Sequence, residues 1–193
     1  MEGFTGAVYG NRAGGAVAWI GRAPQNTRTL WAATGAGRVF ISDHADAAAG
    51  AVTYTRIDAT ATPSPARFIT SIAADTAHPH RAWISDSGYY VNTPAQPGHV
   101  FEVTWNGKAE SWEDRSNNLP DLPVNAVVRD DLMANLYAAT DFGVMRLASG
   151  SATWTVAGSG LPMVEVPSLT IVPGARLLYA ATHGRIAWVL QLP

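Results

Sequence analysis

One short pattern occurs four times in this sequence. It reads Leu30-Trp31-Ala32-Ala33-Thr34, then Ala82-Trp83-Ile84-Ser85, Leu136-Tyr137-Ala138-Ala139-Thr140 and Leu178-Tyr179-Ala180-Ala181-Thr182. The aromatics stand at 31, 83, 137 and 179, so successive copies lie 52, 54 and 42 residues apart. A four-stranded propeller blade takes roughly 40–50 residues, and this period fits it with modest insertions. The flanks repeat as well. An apolar stretch precedes each copy, at residues 16–20, 68–73, 124–128 and 167–172, and reads as an inner strand. A turn rich in Pro, Asn, Asp or Gly links it to the pattern, as in Ala23-Pro24-Gln25-Asn26. A third strand follows each copy: Val39-Phe40-Ile41, Val100-Phe101-Glu102-Val103, Val144-Met145-Arg146-Leu147 and Ile186-Ala187-Trp188-Val189. An outer strand with one aromatic in a polar setting closes three copies: Thr53-Tyr54-Thr55, Ser111-Trp112-Glu113 and Thr153-Trp154-Thr155. The fourth copy has none before Pro193.

These units predict an all-β chain, a β-propeller of about four blades. A β-sandwich also gives short strands at regular spacing, but it does not call for self-similar units. No 3.6-residue periodicity suggests a long helix. The expected organisation is one propeller unit over 1–193, with blades at about 16–58, 67–115, 123–157 and 164–192. Residues 4–9 (Phe-Thr-Gly-Ala-Val-Tyr) are expected to form a strand closing another blade. An open half-ring exposes strand edges and apolar faces. The expectation is therefore a homodimer by blade completion, giving a ring of about eight blades.

Composition narrows the function classes. Hydrophobic residues make up 47% and charged residues 15%, which suits a packed core and not a disordered chain. A net charge of −2 offers no electrostatic capture of nucleic acid or of an anionic membrane. No run of 18 apolar residues suggests a membrane span, and Met1-Glu2-Gly3-Phe4 lacks the opening of a signal peptide. Without cysteine there is no disulfide, thiolate nucleophile or Cys-ligated zinc.

The stretch Ser149-Gly150-Ser151-Ala152-Thr153-Trp154 resembles an Asp box, Ser-x-Asp-x-Gly-x-Thr-Trp, with Ser149 at the Asp position. Residues 42–54 are similar but stretched, with Asp43 or Asp46 as the acid. Leu178-Tyr179-Ala180-Ala181-Thr182-His183-Gly184-Arg185 resembles the last blade of such proteins. The chain thus resembles the C-terminal blades of the Asp-box propellers, which include sialidase-like repeat proteins, sortilin-type receptor domains and xyloglucan-degrading hydrolases. The resemblance implies a propeller of six or more blades in the full ring. The box it implies is a structural turn, not a catalytic element.

Function has to be read from sites, because this fold hosts many activities. The repeat register puts Arg38, Asp86, Asp141 and His183 at equivalent turns between second and third strands. The second copy carries an insertion at 87–98 with Tyr89 and Tyr90, followed by His99. Asp86, His99, Asp141 and His183 form a candidate divalent-metal set, for zinc or manganese, able to activate water for hydrolysis. Asp and His ahead of Gly are also ordinary turn formers. Sialidase-type chemistry needs arginines for a substrate carboxylate and a tyrosine nucleophile. Arg38, Arg185, Tyr89 and Tyr90 are the candidates for substrate binding. His78-Pro79-His80 falls in a first-to-second strand turn and reads as a solvated loop. Trp105, beside Asn106-Gly107, is expected at a hairpin end with its ring open to solvent. No Gly-x-Ser-x-Gly elbow or phosphate loop is present. Two readings remain. One is a binding or interaction module, with carbohydrate or a small molecule as ligand. The other is a metal-dependent hydrolase with its site in the channel of an assembled ring.

Overall fold

The computed structural model describes residues 15–58 and 63–193. The expected closing strand at 4–9 lies outside them. The described residues form four antiparallel meanders. The first joins β1 (Val17–Ala23), β2 (Asn26–Thr34), β3 (Val39–Ser42) and β4 (Thr55–Arg56). The second joins β5 (Ile69–Ala74), β6 (Arg81–Asp86), β7 (Val100–Trp105) and β8 (Glu110–Asp114). The third joins β9 (Val124–Asp130), β10 (Asn135–Thr140), β11 (Gly143–Leu147) and β12 (Trp154–Val156). The fourth has three strands, β13 (Ser168–Val172), β14 (Leu177–Ala181) and β15 (Ala187–Gln191). Among the described residues, helix is limited to three 3-10 turns, and no helix is long and apolar enough to cross a membrane. The inner strands pack in succession, β1 on β5, β5 on β9 and β9 on β13. The four sheets are blades arranged as a β-propeller.

The repeated pattern explains the packing between blades. It lies on the second strand, β2, β6, β10 or β14. In a strand, successive side chains point to opposite faces, so each aromatic faces one neighbour and its flanking small residues the other. Trp31 enters a core with Ala82, Ile84, Phe101 and Val103 of the second blade. Trp83 does the same with Leu136 and Ala138, and Tyr137 with Leu178 and Ala180. Each ring thus meets one alanine and one Leu or Ile of the next second strand, and the alanine lets the blades close on it. Burying one large apolar side chain this way contributes about 1.5–3 kcal/mol.

Polar bonds also stitch the seams. Thr70 Oγ1 donates to the Val124 carbonyl (2.6 Å), and Ser71 Oγ accepts from the Val127 N–H (2.8 Å), tying β5 to β9. At the rim, the outer-strand tryptophans act as clips. Trp112 Nε1–H donates to the Ile57 carbonyl (2.7 Å) and Trp154 Nε1–H to the Arg115 carbonyl (2.8 Å). Each acceptor is the first residue beyond the outer strand of the preceding blade. Trp105 departs from expectation. It ends β7 on the same face as Phe101 and Val103, so the strand period of two carries it into the core instead of into solvent.

Candidate functional site

The turns between second and third strands leave the same end of every meander. On that face the second blade carries a buried polar cluster. Asp86 ends β6 with no exposure, and its N–H donates to the His99 carbonyl (2.9 Å). Neither Asp86 carboxylate oxygen has a hydrogen-bond partner among protein atoms, and neither does Arg67 Nε. Burial pushes the Asp86 carboxyl well above the usual carboxylate range; Arg67 pulls it back and Asp114 adds to the rise. His99 lies between Arg67 and Asp121. Its Nδ1 is 3.4 Å from Arg67 Nη2 and its Nε2 is 3.2 Å from Asp121 Oδ1. Burial and then Arg67 push the imidazole below its ordinary value, while Asp121 pulls it up. A neutral ring fits both neighbours, with Nε2–H donating to Asp121 and Nδ1 accepting from Arg67.

This cluster clasps the insertion at 87–98. Arg67 donates to the carbonyls of Gly88 (3.5 Å) and Gly98, the two ends of the excursion. Asp121 Oδ1 accepts the Tyr90 N–H (2.7 Å). The clasp leaves the rings of Tyr89 and Tyr90 exposed on the face. Arg67 and Asp121 carry no sequence motif. They sit in connections between blades, where repeat reading assigns no role.

The structure brings Asp86 and His99 into one cluster but does not gather the four candidate metal ligands. Asp141 accepts from Asn125 Nδ2 (3.0 Å) in the third blade. His183 Nδ1 faces Glu165 (3.0 Å) in the fourth and is largely exposed. Among the described residues no three His, Cys, Asp or Glu side chains come together as a metal site. Arg38 is half-buried in the first blade, with its N–H on Thr34 Oγ1 (3.3 Å), and Arg185 is exposed in the fourth. His78 and His80 have separate partners, Arg81 Nη2 (3.0 Å) and Asp43 Oδ1 (2.7 Å).

The inner strands border a second candidate site on the channel side. Two cavities lie along them, of about 550 and 330 Å³, and Trp19 lines both. Pairing fixes its repeat position. Trp19 is opposite Ala33, as Ser71 is opposite Ser85, Ala126 opposite Ala139 and Ser168 opposite Ala181. One indole therefore stands where the other blades carry Ser or Ala, and all four residues line the smaller cavity. The far edge of the Trp19 ring approaches Gly21, two residues along the same face, and a Cβ at Gly21 would press on it. The larger cavity has paired charges at its polar end. Arg176 binds both carboxylate oxygens of Asp130 (2.6 and 2.8 Å), and Thr76 Oγ1 donates to Asp131 (2.8 Å). The Arg176 hydrogen bonds hold the Asp130 carboxyl below the usual range.

No protein-family profile and no curated protein sequence matches the chain. Solved structures do. An ancestral GH74 enzyme superposes with a TM-score of 0.59 at 19% identity, over 88% of this chain and 22% of its own. The extracellular domain of a hybrid two-component system, BT3049 from B. thetaiotaomicron, gives 0.61 at 17% identity, over 91% and 20%. The chain spans about a fifth of the length of these two structures. At such identities the likeness establishes the fold, and the fold is a β-propeller.

Proposed function

We propose that this chain is a carbohydrate-binding propeller module that takes neutral sugar rings on the channel side, against Trp19. The indole of Trp19, at the position where the other three blades have Ser71, Ala126 and Ser168, carries this reading. An apolar ring face beside hydroxyl and amide groups suits a sugar, which has one C–H-rich face and a rim of hydroxyls. The Ser168 hydroxyl and the Asn125 amide oxygen supply such groups in the same cavity. In the larger cavity both carboxylates are already paired, Asp130 with Arg176 and Asp131 with Arg129, and Arg22 is held on the Thr27 and Ala45 carbonyls, which favours a neutral ligand over a strongly charged one.

The test is calorimetric titration with a panel of soluble neutral oligosaccharides, xyloglucan fragments among them. At least one is expected to bind, and Trp19→Ala is expected to weaken it by about tenfold, or about 1.4 kcal/mol. Tyr89→Ala, exposed on the insertion at 87–98 and not a lining residue of either cavity, leaves the affinity unchanged. A panel with no binder, or a binder indifferent to Trp19→Ala, refutes the reading.

A further inference from the structure

The repeat register singles out both ends of the arc. At the second-strand position, Trp31, Trp83 and Tyr137 are 0%, 5% and 1% exposed, each covered by the following blade. The fourth member, Tyr179, is 40% exposed. The complementary break is at the other end. Ile20 pairs with Ala32, as Ile72 pairs with Ile84, Val127 with Ala138 and Leu169 with Ala180. Ile72, Val127 and Leu169 are 3%, 2% and 7% exposed beneath the preceding blade, and Ile20 is 56% exposed. Thus the fourth blade presents an aromatic that three internal seams bury. The first blade presents an aliphatic residue that three internal seams cover.

We infer that the fourth blade of one chain docks on the first blade of a second copy, and that two such seams close a two-chain ring of eight blades. The occupant's chemistry is set by precedent within the chain. Tyr137 packs on Leu178 and Ala180, and Trp83 on Leu136 and Ala138. The first blade has Leu30 and Ala32 at the same positions beside Ile20, with Leu30 half-buried and Ala32 already covered in the chain itself, so Ile20 is the residue it presents. The fourth blade is unfinished at its edge too. Trp112 and Trp154 each donate to the residue that follows the preceding outer strand, Ile57 or Arg115. The equivalent residue before the fourth blade is Ala157, whose N–H bonds Val144 just as Ile57 bonds Val39 and Arg115 bonds Val100. Ala157 lines an apolar slot with Leu178, Trp188 and Leu190, and among the described residues no outer strand of the fourth sheet lies there. A contact between unlike faces closes into a ring when its rotation allows and otherwise grows into a filament.

The experiment is solution mass by light scattering and sedimentation at micromolar concentration. The variants are Ile20→Glu, Tyr179→Asp and their equimolar mixture, with circular dichroism to verify folding. The wild type is expected at twice the chain mass and each variant at the single-chain mass. Both side chains are exposed in the chain itself, so both variants keep the wild-type spectrum. The mixture regains a two-chain species, because the fourth blade of Ile20→Glu and the first blade of Tyr179→Asp are both intact. A single-chain wild type overturns the inference, including the case in which residues 1–14 cover the faces from within. A two-chain wild type unaffected by either substitution overturns it, as does a mass above two chains. Variants that are single-chain but give no recovery on mixing overturn it as well.

Discussion

Replacing Trp154 with alanine probes the seam between the second and third blades. The ring is 2% exposed and shares a core with Trp83, Val100, Leu136 and Leu147. Its indole N–H also occupies the Arg115 carbonyl, and its own N–H donates to Asn118 Oδ1 (2.6 Å). Truncating a buried tryptophan costs about 3–5 kcal/mol in transfer and cavity terms. Trp154→Phe keeps most of the apolar contact but leaves the Arg115 carbonyl without its donor, which costs about 1–3 kcal/mol. In a chain of this size each kcal/mol moves Tm by about 2–4 °C, so Trp154→Ala lowers it by about 6–20 °C. Urea unfolding followed by far-ultraviolet circular dichroism gives the free energies, and a thermal scan gives Tm. A Trp154→Ala protein within about 1 kcal/mol of wild type would refute the idea that blade seams carry the stability.

Gly37 has a φ of +77°, and a Cβ there would collide with the backbone of Ala66 and Arg67. Gly37→Ala is therefore expected to cost more than the 1–2 kcal/mol or so of left-handed backbone strain alone. Gly107→Ala, at φ +89° with open space around it, is expected to cost about that strain only, and urea midpoints compare the two. His99 tests the clasp. Its folded value lies below 6.5, so its contribution is fully present above the unfolded value and is lost as pH falls through the folded one. The stability gap between wild type and His99→Gln is expected to narrow as pH falls below 6.5, and a gap that stays constant as pH falls contradicts the buried neutral imidazole.

Three Leu-aromatic-Ala-Ala-Thr copies and Ala82-Trp83-Ile84-Ser85 make the four second strands legible because they answer one demand, a ring on one face and an alanine beside a Leu or Ile on the other. The outer strand of the first blade is harder to read. The Ala- and Gly-rich stretch around 45–52 lets it shrink to Thr55–Arg56, so Tyr54 lies just ahead of it. Trp105 misleads because Asn106-Gly107 signals a turn, while the strand period that buries the ring needs the register of β7. The clasp is half legible. Asp86 and His99 stand out as titratable groups near an insertion. Arg67 and Asp121 come from connections on either side of the second blade, which no local pattern joins to it. In the sequence, Trp19 is one residue of the apolar stretch 16–20 and reads only as part of an inner strand. Its equivalence to Ser71, Ala126 and Ser168 appears only once strand pairing is known.

Hydrogen–deuterium exchange, with and without the tightest-binding oligosaccharide of the panel, locates the ligand directly. Binding against Trp19 predicts new protection in β1, β5 and β9, with the segment 87–99 and the turn at His183 unchanged. Protection confined to that segment and that turn, with the inner strands unaffected, would contradict the channel-side site.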